Sequence, residues 1–164
     1  MSKNYEIERK FLIKMPNILT LTENNDCKKI YISQTYLKNH TRIRVLKSKE
    51  KTKYIKTKKI KVSDLTRIEY ESEITKEEYE ELLALADTKR QTINKTRYKY
   101  PYKNKVFEID IFDFWDDRAV VEIEIQSENE EFVLPPFLEI IKEVTHNPEY
   151  RNFAIAKKIP KEKI

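Results

Sequence analysis

The chain has 164 residues, 39% of them hydrophobic and 37% charged, with 33 Lys and Arg against 28 Asp and Glu and a net charge of +5. That length suits one domain with a real core, and the complete absence of glycine excludes the glycine-rich phosphate loops of P-loop and dinucleotide-binding folds. A single cysteine, Cys27, excludes an intramolecular disulfide and a cysteine-based zinc site and fits a reducing compartment.

The start of the chain is charged from Lys3 onward and carries no signal-peptide pattern. No apolar run approaches the roughly 20 residues that span a bilayer, so a cytoplasmic protein without a membrane partner is expected. The two histidines, His40 and His146, lack metal-ligand spacing and read as surface residues. The basic balance points to a polyanionic partner. Because acidic residues are almost as numerous, it argues against a nucleic acid.

In chain order, residues 5–13 (YEIERKFLI) alternate as a strand, with Glu6, Glu8 and Lys10 on one face. A short helix is expected near 16–22, opening at Pro16. Residues 41–46 place Arg42 and Arg44 opposite Ile43 and Val45, and residues 54–58 place Lys56 and Lys58 opposite Ile55 and Thr57. Residues 67–74 align Glu69, Glu71 and Glu73. A helix over 75–87 opens with a capping box, Thr75 with Glu78.

Further strands align Lys95, Arg97 and Lys99 (94–100), Glu108 and Asp110 (106–112), and Glu122 and Glu124 (120–126). Two helical pieces are expected at 135–144 and 149–158. Without glycine, turns fall to Asn, Asp and Pro at 23–26, 38–40, 102–105 and 146–148.

The charged faces are sorted by sign, strand by strand. Like charges side by side on a pleated face repel unless cations bridge the carboxylates and a polyanion bridges the Arg and Lys. Closing seven or eight such antiparallel strands into a barrel gathers all these pairs around one cavity and turns Ile7, Ile43, Ile109 and Ile123 outward.

The residues then resemble a known family. The opening EIERKFLI (6–13) resembles the Glu-x-Glu-x-Lys signature of the CYTH superfamily, the triphosphate tunnel metalloenzymes. ISQTYL (32–37), RIR (42–44), YIKTK (54–58), RIEYESEI (67–74), KTRY (95–98), EIDIF (108–112), AVVEIEI (119–125) and KEVTHNPEYRN (142–152) follow in the family's order, across essentially the whole chain. Thr35, Lys59 and His146 stand where the family commonly has glycine, at positions read as strand ends or turns.

The resemblance implies an α+β fold: one domain over 1–164, a closed eight-stranded antiparallel β-barrel with a charged interior and a few helices packed outside. It implies hydrolysis of a small-molecule triphosphate, most nearly inorganic triphosphate, with Mg²⁺ or Mn²⁺. The protein is expected to be a monomer or homodimer. Matched to the family, Glu6, Glu8 and Glu124 hold the main metal. Glu122, Asp110, Glu69 and Glu71 hold a second metal or position the attacking water.

Arg42, Arg44, Lys56, Lys58, Lys95 and Arg97 grip phosphate, as guanidinium forks and ammonium point charges do. Lys10 and Lys95 stabilise charge on the transferring phosphoryl group. Two other classes stay open: a class IV-type adenylate cyclase or a thiamine or nucleoside triphosphatase, and a non-catalytic module binding polyphosphate or RNA. Tyr54, Phe112 and Trp115 are the rings that would stack on a base, although aromatics in such places are more often core.

Overall fold

The computed structural model describes the backbone of residues 2–63 and 65–164, and side chains from residue 7 on within that span. The elements are β1 (Ser2–Lys14), α1 (Ile18–Thr22), β2 (Lys28–Tyr36), β3 (Arg42–Lys47), β4 (Thr52–Lys61), β5 (Thr66–Ile74), α2 (Lys76–Leu83), β6 (Ile93–Tyr102), β7 (Lys105–Phe112), β8 (Arg118–Glu124), β9 (Ile140–Glu143), a 3₁₀ turn (Pro148–Tyr150) and α3 (Asn152–Ile155). Eight antiparallel strands run in the order β5-β4-β3-β2-β6-β7-β8-β1, and β1 pairs back onto β5, so the sheet closes. Closure removes the open strand edges that would invite aggregation.

Turns without glycine are made as expected. The β6–β7 hairpin turns on Lys103 and Asn104, both at positive φ (47° and 63°), as a two-residue hairpin requires. His40, at φ 66°, closes the turn before β3. α1 starts two residues later than expected, at Ile18, with Asn17 as its N-cap. α2 has the capping box of Thr75 and Glu78 and stops at Leu83 rather than 87.

Two expected helices are corrected. Residues 135–144 form no helix: they make one turn, closed by the Leu138 N–H donating to the Pro135 carbonyl (3.1 Å), and then enter β9, which pairs with β1 at Phe11, Leu12 and Ile13. The reason is the length of β1: it leaves β5 after Ile7, and the edge beyond needs backbone partners. The β-branched Ile140 and Ile141 suit that role. Residues 149–158 form only the 3₁₀ turn and the single helical turn of α3.

Apolar residues pack on both sides of the barrel wall. Outside, Ile7, Ile109, Ile123 and Val121 pack with Leu21 of α1 and with Phe132, Leu134 and Leu138 of the β8–β9 connection. Ile43 packs with Leu37 and Tyr79, beneath α2. A fully buried Leu or Ile stabilises by about 1.5–3 kcal/mol, so these layers carry the fold. At one end the inward phase itself turns apolar. Leu12, Tyr36, Ile93, Phe112 and Val120 meet Trp115, Val144, Tyr150, Ile155 and Ala156, and the segment after β9 caps the barrel there. Phe112 and Trp115 are core rings in this cap, and Tyr54 packs on Tyr79.

Candidate active site

Cross-strand register fixes what faces inward. Lys10 of β1 lies opposite Glu122 of β8, and Glu8 opposite Glu124. Glu122 lies opposite Glu108 of β7, whose inward neighbour Asp110 lies opposite Arg97 of β6. Around the other half, Arg42 and Arg44 of β3 lie opposite Thr57 and Ile55 of β4, which lie opposite Glu71 and Glu73 of β5. Glu8, Arg42, Arg44, Glu69, Glu71, Arg97, Glu108, Glu122 and Glu124 line one internal cavity of about 210 Å³. The alternation in the sequence therefore becomes a single charged inner surface. Glu73, at the far end of β5, is exposed to solvent.

The floor of this chamber is a tight ionic lattice. Asp110 is fully buried and accepts from Arg97 Nε (2.7 Å), Arg97 Nη2 (2.9 Å) and Lys95 Nζ (2.8 Å). Lys95 also donates to Asn152 Oδ1 (3.4 Å), and Arg97 reaches Glu108 (3.3 Å). Lys10 Nζ lies 3.4 Å from Glu122 and donates to the Tyr150 carbonyl (3.2 Å). Higher up, Arg44 pairs with Glu71 (3.1 Å), which also accepts from Thr57, and Lys59 pairs with Glu69 (3.6 Å).

Burial sets the electrostatics. Burial, with repulsion from Arg42 and Arg97, pushes the Arg44 guanidinium down to about 9, against the pull of Glu71 and Glu69. Burial alone would raise the Asp110 carboxyl, but Arg97 and Lys95 more than reverse it and hold it below the ordinary carboxylate range. Glu108 is raised by burial, partly countered by Arg97.

Burial pushes the Lys95 ammonium from 10.5 down to about 8, with Asp110 pulling it back up. The unfolded chain therefore binds more protons at this site between about pH 8 and 10.5, and stability rises with pH through that window. Lys95→Met is expected to lack this rise, a difference on the order of 3 kcal/mol across the window. Urea denaturation of both proteins at pH 7.5 and pH 10 measures it.

Several expected residues are thus gathered in one chamber: Glu8, Lys10, Arg42, Arg44, Glu69, Glu71, Lys95, Arg97, Asp110, Glu122 and Glu124. The carboxylate of Glu6 lies outside the described side chains. Lys56 and Lys58 are corrected: they pair with Ile43, Ser72 and Tyr70 on the outer phase of β4, while Thr57 and Lys59 face inward. YIKTK alternates equally well in either parity, and pairing with β3 and β5 selects the one that turns both lysines outward. Lys59, read as a strand end, sits well inside β4.

Asp110 is corrected in emphasis. Its three donors, all from Lys95 and Arg97, suit it to hold those cations rather than to bind a metal. Sequence reasoning also missed Arg151 and Asn152, which reach the cavity from the cap and not from a strand, so no alternation marks them. Among the described residues, no three His, Cys, Asp or Glu side chains already stand close enough together to hold a metal ion. No helix among them is long and apolar enough to cross a membrane.

Comparison with known proteins agrees with this geometry. An inorganic triphosphatase of Nitrosomonas europaea is 32% identical over 94% of this chain and 99% of its own length. An inorganic triphosphatase of Acetivibrio thermocellus is also 32% identical, over 93% of each chain. A crystal structure of an inorganic triphosphatase superposes with a TM-score of 0.59 at 27% identity, covering 95% of this chain and 97% of that one. A Pyrococcus horikoshii protein, at 22% identity over 75% of this chain and 80% of its own, shares the fold with a TM-score of 0.55. Residues 4–149 match the CYTH domain, and the chain belongs to that family.

Proposed function

We propose that this chain hydrolyses inorganic triphosphate to pyrophosphate and phosphate inside the tunnel, with Mg²⁺ or Mn²⁺. The observation that carries the reading is the pairing of carboxylates across the wall, Glu8 with Glu124 and Glu108 with Glu122, on the same inner surface as Arg44, Lys59 and Arg97. Facing like charges destabilise a sheet unless something bridges them. An all-oxygen donor set suits hard divalent cations.

Glu8, Glu124 and Glu122 are the residues that would hold the metal, with Glu6 kept as a further ligand on the family resemblance alone. Bound there, the ion would neutralise charge between carboxylates and phosphate oxygens. The chain's own part is positioning. Asp110 holds Lys95 and Arg97, Glu71 holds Arg44, and Glu69 holds Lys59, so the cations await the phosphates already oriented. Lys10, fixed by Glu122 and the Tyr150 carbonyl, meets developing charge on the transferring group. Phosphoryl transfer needs little else from a protein.

A second reading, hydrolysis of an aromatic triphosphate ester, draws on Tyr36, His40 and Phe153 beside the tunnel. Tyr54, Phe112 and Trp115 are taken up in packing and do not serve it.

One panel tests both readings: phosphate release from tripolyphosphate, ATP, thiamine triphosphate and pyrophosphate, with Mg²⁺ or Mn²⁺ and with excess chelator, and cyclic AMP assayed from ATP. The expected result is metal-requiring release, greatest from tripolyphosphate. Undiminished hydrolysis in chelator would remove the metal from the reading, and cyclic AMP would move it to a cyclase.

A further inference from the structure

Residues 157–164 lie against the capped end as a strap. Trp115 Nε1 donates to the Pro160 carbonyl (3.2 Å), and Arg118 Nη2 donates to the Glu162 carbonyl (2.6 Å). The Glu162 carboxylate accepts from the Tyr150 hydroxyl, and its Oε1 lies 2.7 Å from Lys142 Nζ. The ion pair with Lys142 is open to solvent, its side chains 41% and 44% exposed, and such pairs contribute little. The bond from Tyr150 is of another kind. That ring is buried in the cap beside Trp115, and a buried tyrosine needs a partner for its hydroxyl. Burial and the Glu162 carboxylate push the phenol up to about 12, while Lys142 and the phenol hold Glu162 below the ordinary carboxylate range. A neutral phenol therefore donates to a carboxylate, a charge-assisted bond.

The other end of Tyr150 faces the chemistry. Its carbonyl accepts from Lys10 Nζ at 3.2 Å, closer than Glu122 at 3.4 Å. A carbonyl orients an ammonium without cancelling its charge, which stays available to phosphate. The Lys10 N–H donates to Thr145 Oγ1 (2.9 Å), on the segment that leads into Tyr150. A line of contacts thus runs from the strap to the tunnel: Glu162, the Tyr150 hydroxyl, the Tyr150 carbonyl, the Lys10 ammonium. Lys95, by contrast, is held from the barrel wall by Asp110 (2.8 Å).

We infer that Glu162 is a positioning residue for Lys10: by holding the Tyr150 hydroxyl it fixes the carbonyl that aims the Lys10 ammonium into the tunnel. What Lys10 does there rests on the triphosphatase reading; how Lys10 is held does not.

Two measurements on the intact protein, Glu162→Ala, Glu162→Gln and Tyr150→Phe test this. One is the rate at which acetic anhydride labels Lys10, read by mass spectrometry beside the rate for Lys95. The other is the steady-state kinetics of tripolyphosphate hydrolysis with Mg²⁺. Glu162→Ala keeps the backbone carbonyl that Arg118 binds, and thermal melting checks that each variant folds. In Glu162→Ala and Tyr150→Phe, Lys10 labelling is expected to rise about tenfold and kcat to fall about tenfold, the effect of losing one hydrogen bond to a charged group. KM is expected to stay within about a factor of two, since the lost interaction acts in the transition state. Glu162→Gln keeps an acceptor for the hydroxyl and is expected to restore most of both losses. Lys95 labelling is expected to stay at its parent rate. Lys10 and Lys95 gaining reactivity together would mean that Glu162 only stabilises the cap, and this overturns the inference. Unchanged labelling of Lys10, or a selective rise with kcat unchanged, overturns it too. If labelling behaves as expected but the intact protein hydrolyses no tripolyphosphate, the hold on Lys10 stands and only the triphosphatase reading falls.

Discussion

Lys59→Ala is expected to lower tripolyphosphate turnover by about two to three orders of magnitude, the cost of removing one preorganised donor from a developing oxyanion. Lys58→Ala, one residue away, is expected to leave it within a factor of two or so, as exposed surface substitutions do. Lys59 faces the chamber from β4 and pairs with Glu69 at 3.6 Å, whereas Lys58 lies on the outer phase opposite Tyr70. Steady-state kinetics of the two variants separates the two parities of the strand. Equal losses would mean that β4 does not present its residues this way in the working enzyme. A larger loss in Lys58→Ala would restore the pattern first read from YIKTK.

Glu8→Gln is expected to weaken activation by Mg²⁺ at least about a hundredfold, beyond what loss of a mere ligand-orienting group costs, with turnover falling accordingly. Glutamine keeps the shape of the side chain and removes its charge. Glu8 contributes to the wall of the chamber opposite Glu124 and takes no part in the outer apolar layers. The folded state is therefore expected to melt near the temperature of the parent protein, or slightly above it, since a like-charged cross-strand pair has been relieved. The Mg²⁺ concentration for half-maximal activity, read beside thermal melting, tests this. An unchanged requirement for metal would take Glu8 out of the metal's surroundings.

The sequence carries much of this because the barrel writes its inside and outside in alternation. On β1, β3, β5, β7 and β8 the charged residues mark the cavity face and the isoleucines mark the packed face, as Ile43, Ile109 and Ile123 bear out, and on β6 Tyr98 takes the packed face instead. The rule weakens where a strand does not obey it. β2 sends Ile30 and Ile32 into the cavity and leaves Tyr31 exposed, so it has no charged stripe to read. On β4 the lysines at 56, 58, 59 and 61 fit both parities, and only pairing with β3 and β5 decides between them.

Residues 135–144 have helical spacing, yet the unpaired edge of β1 draws their second half, Ile140–Glu143, into a strand, a tertiary demand that local periodicity does not encode. Arg151 and Asn152 reach the cavity only because the cap folds back over the barrel end, which places them beyond any local pattern.

The central claim is that a closed, charged tunnel splits inorganic triphosphate. Phosphorus-31 NMR of tripolyphosphate with purified protein and Mg²⁺ tests it most directly, because substrate and both products are resolved in one spectrum. Pyrophosphate and orthophosphate are expected to appear in equal amounts as the tripolyphosphate signals decline. Tripolyphosphate that binds, shifting or broadening its signals, yet remains uncleaved over a wide pH range would contradict it.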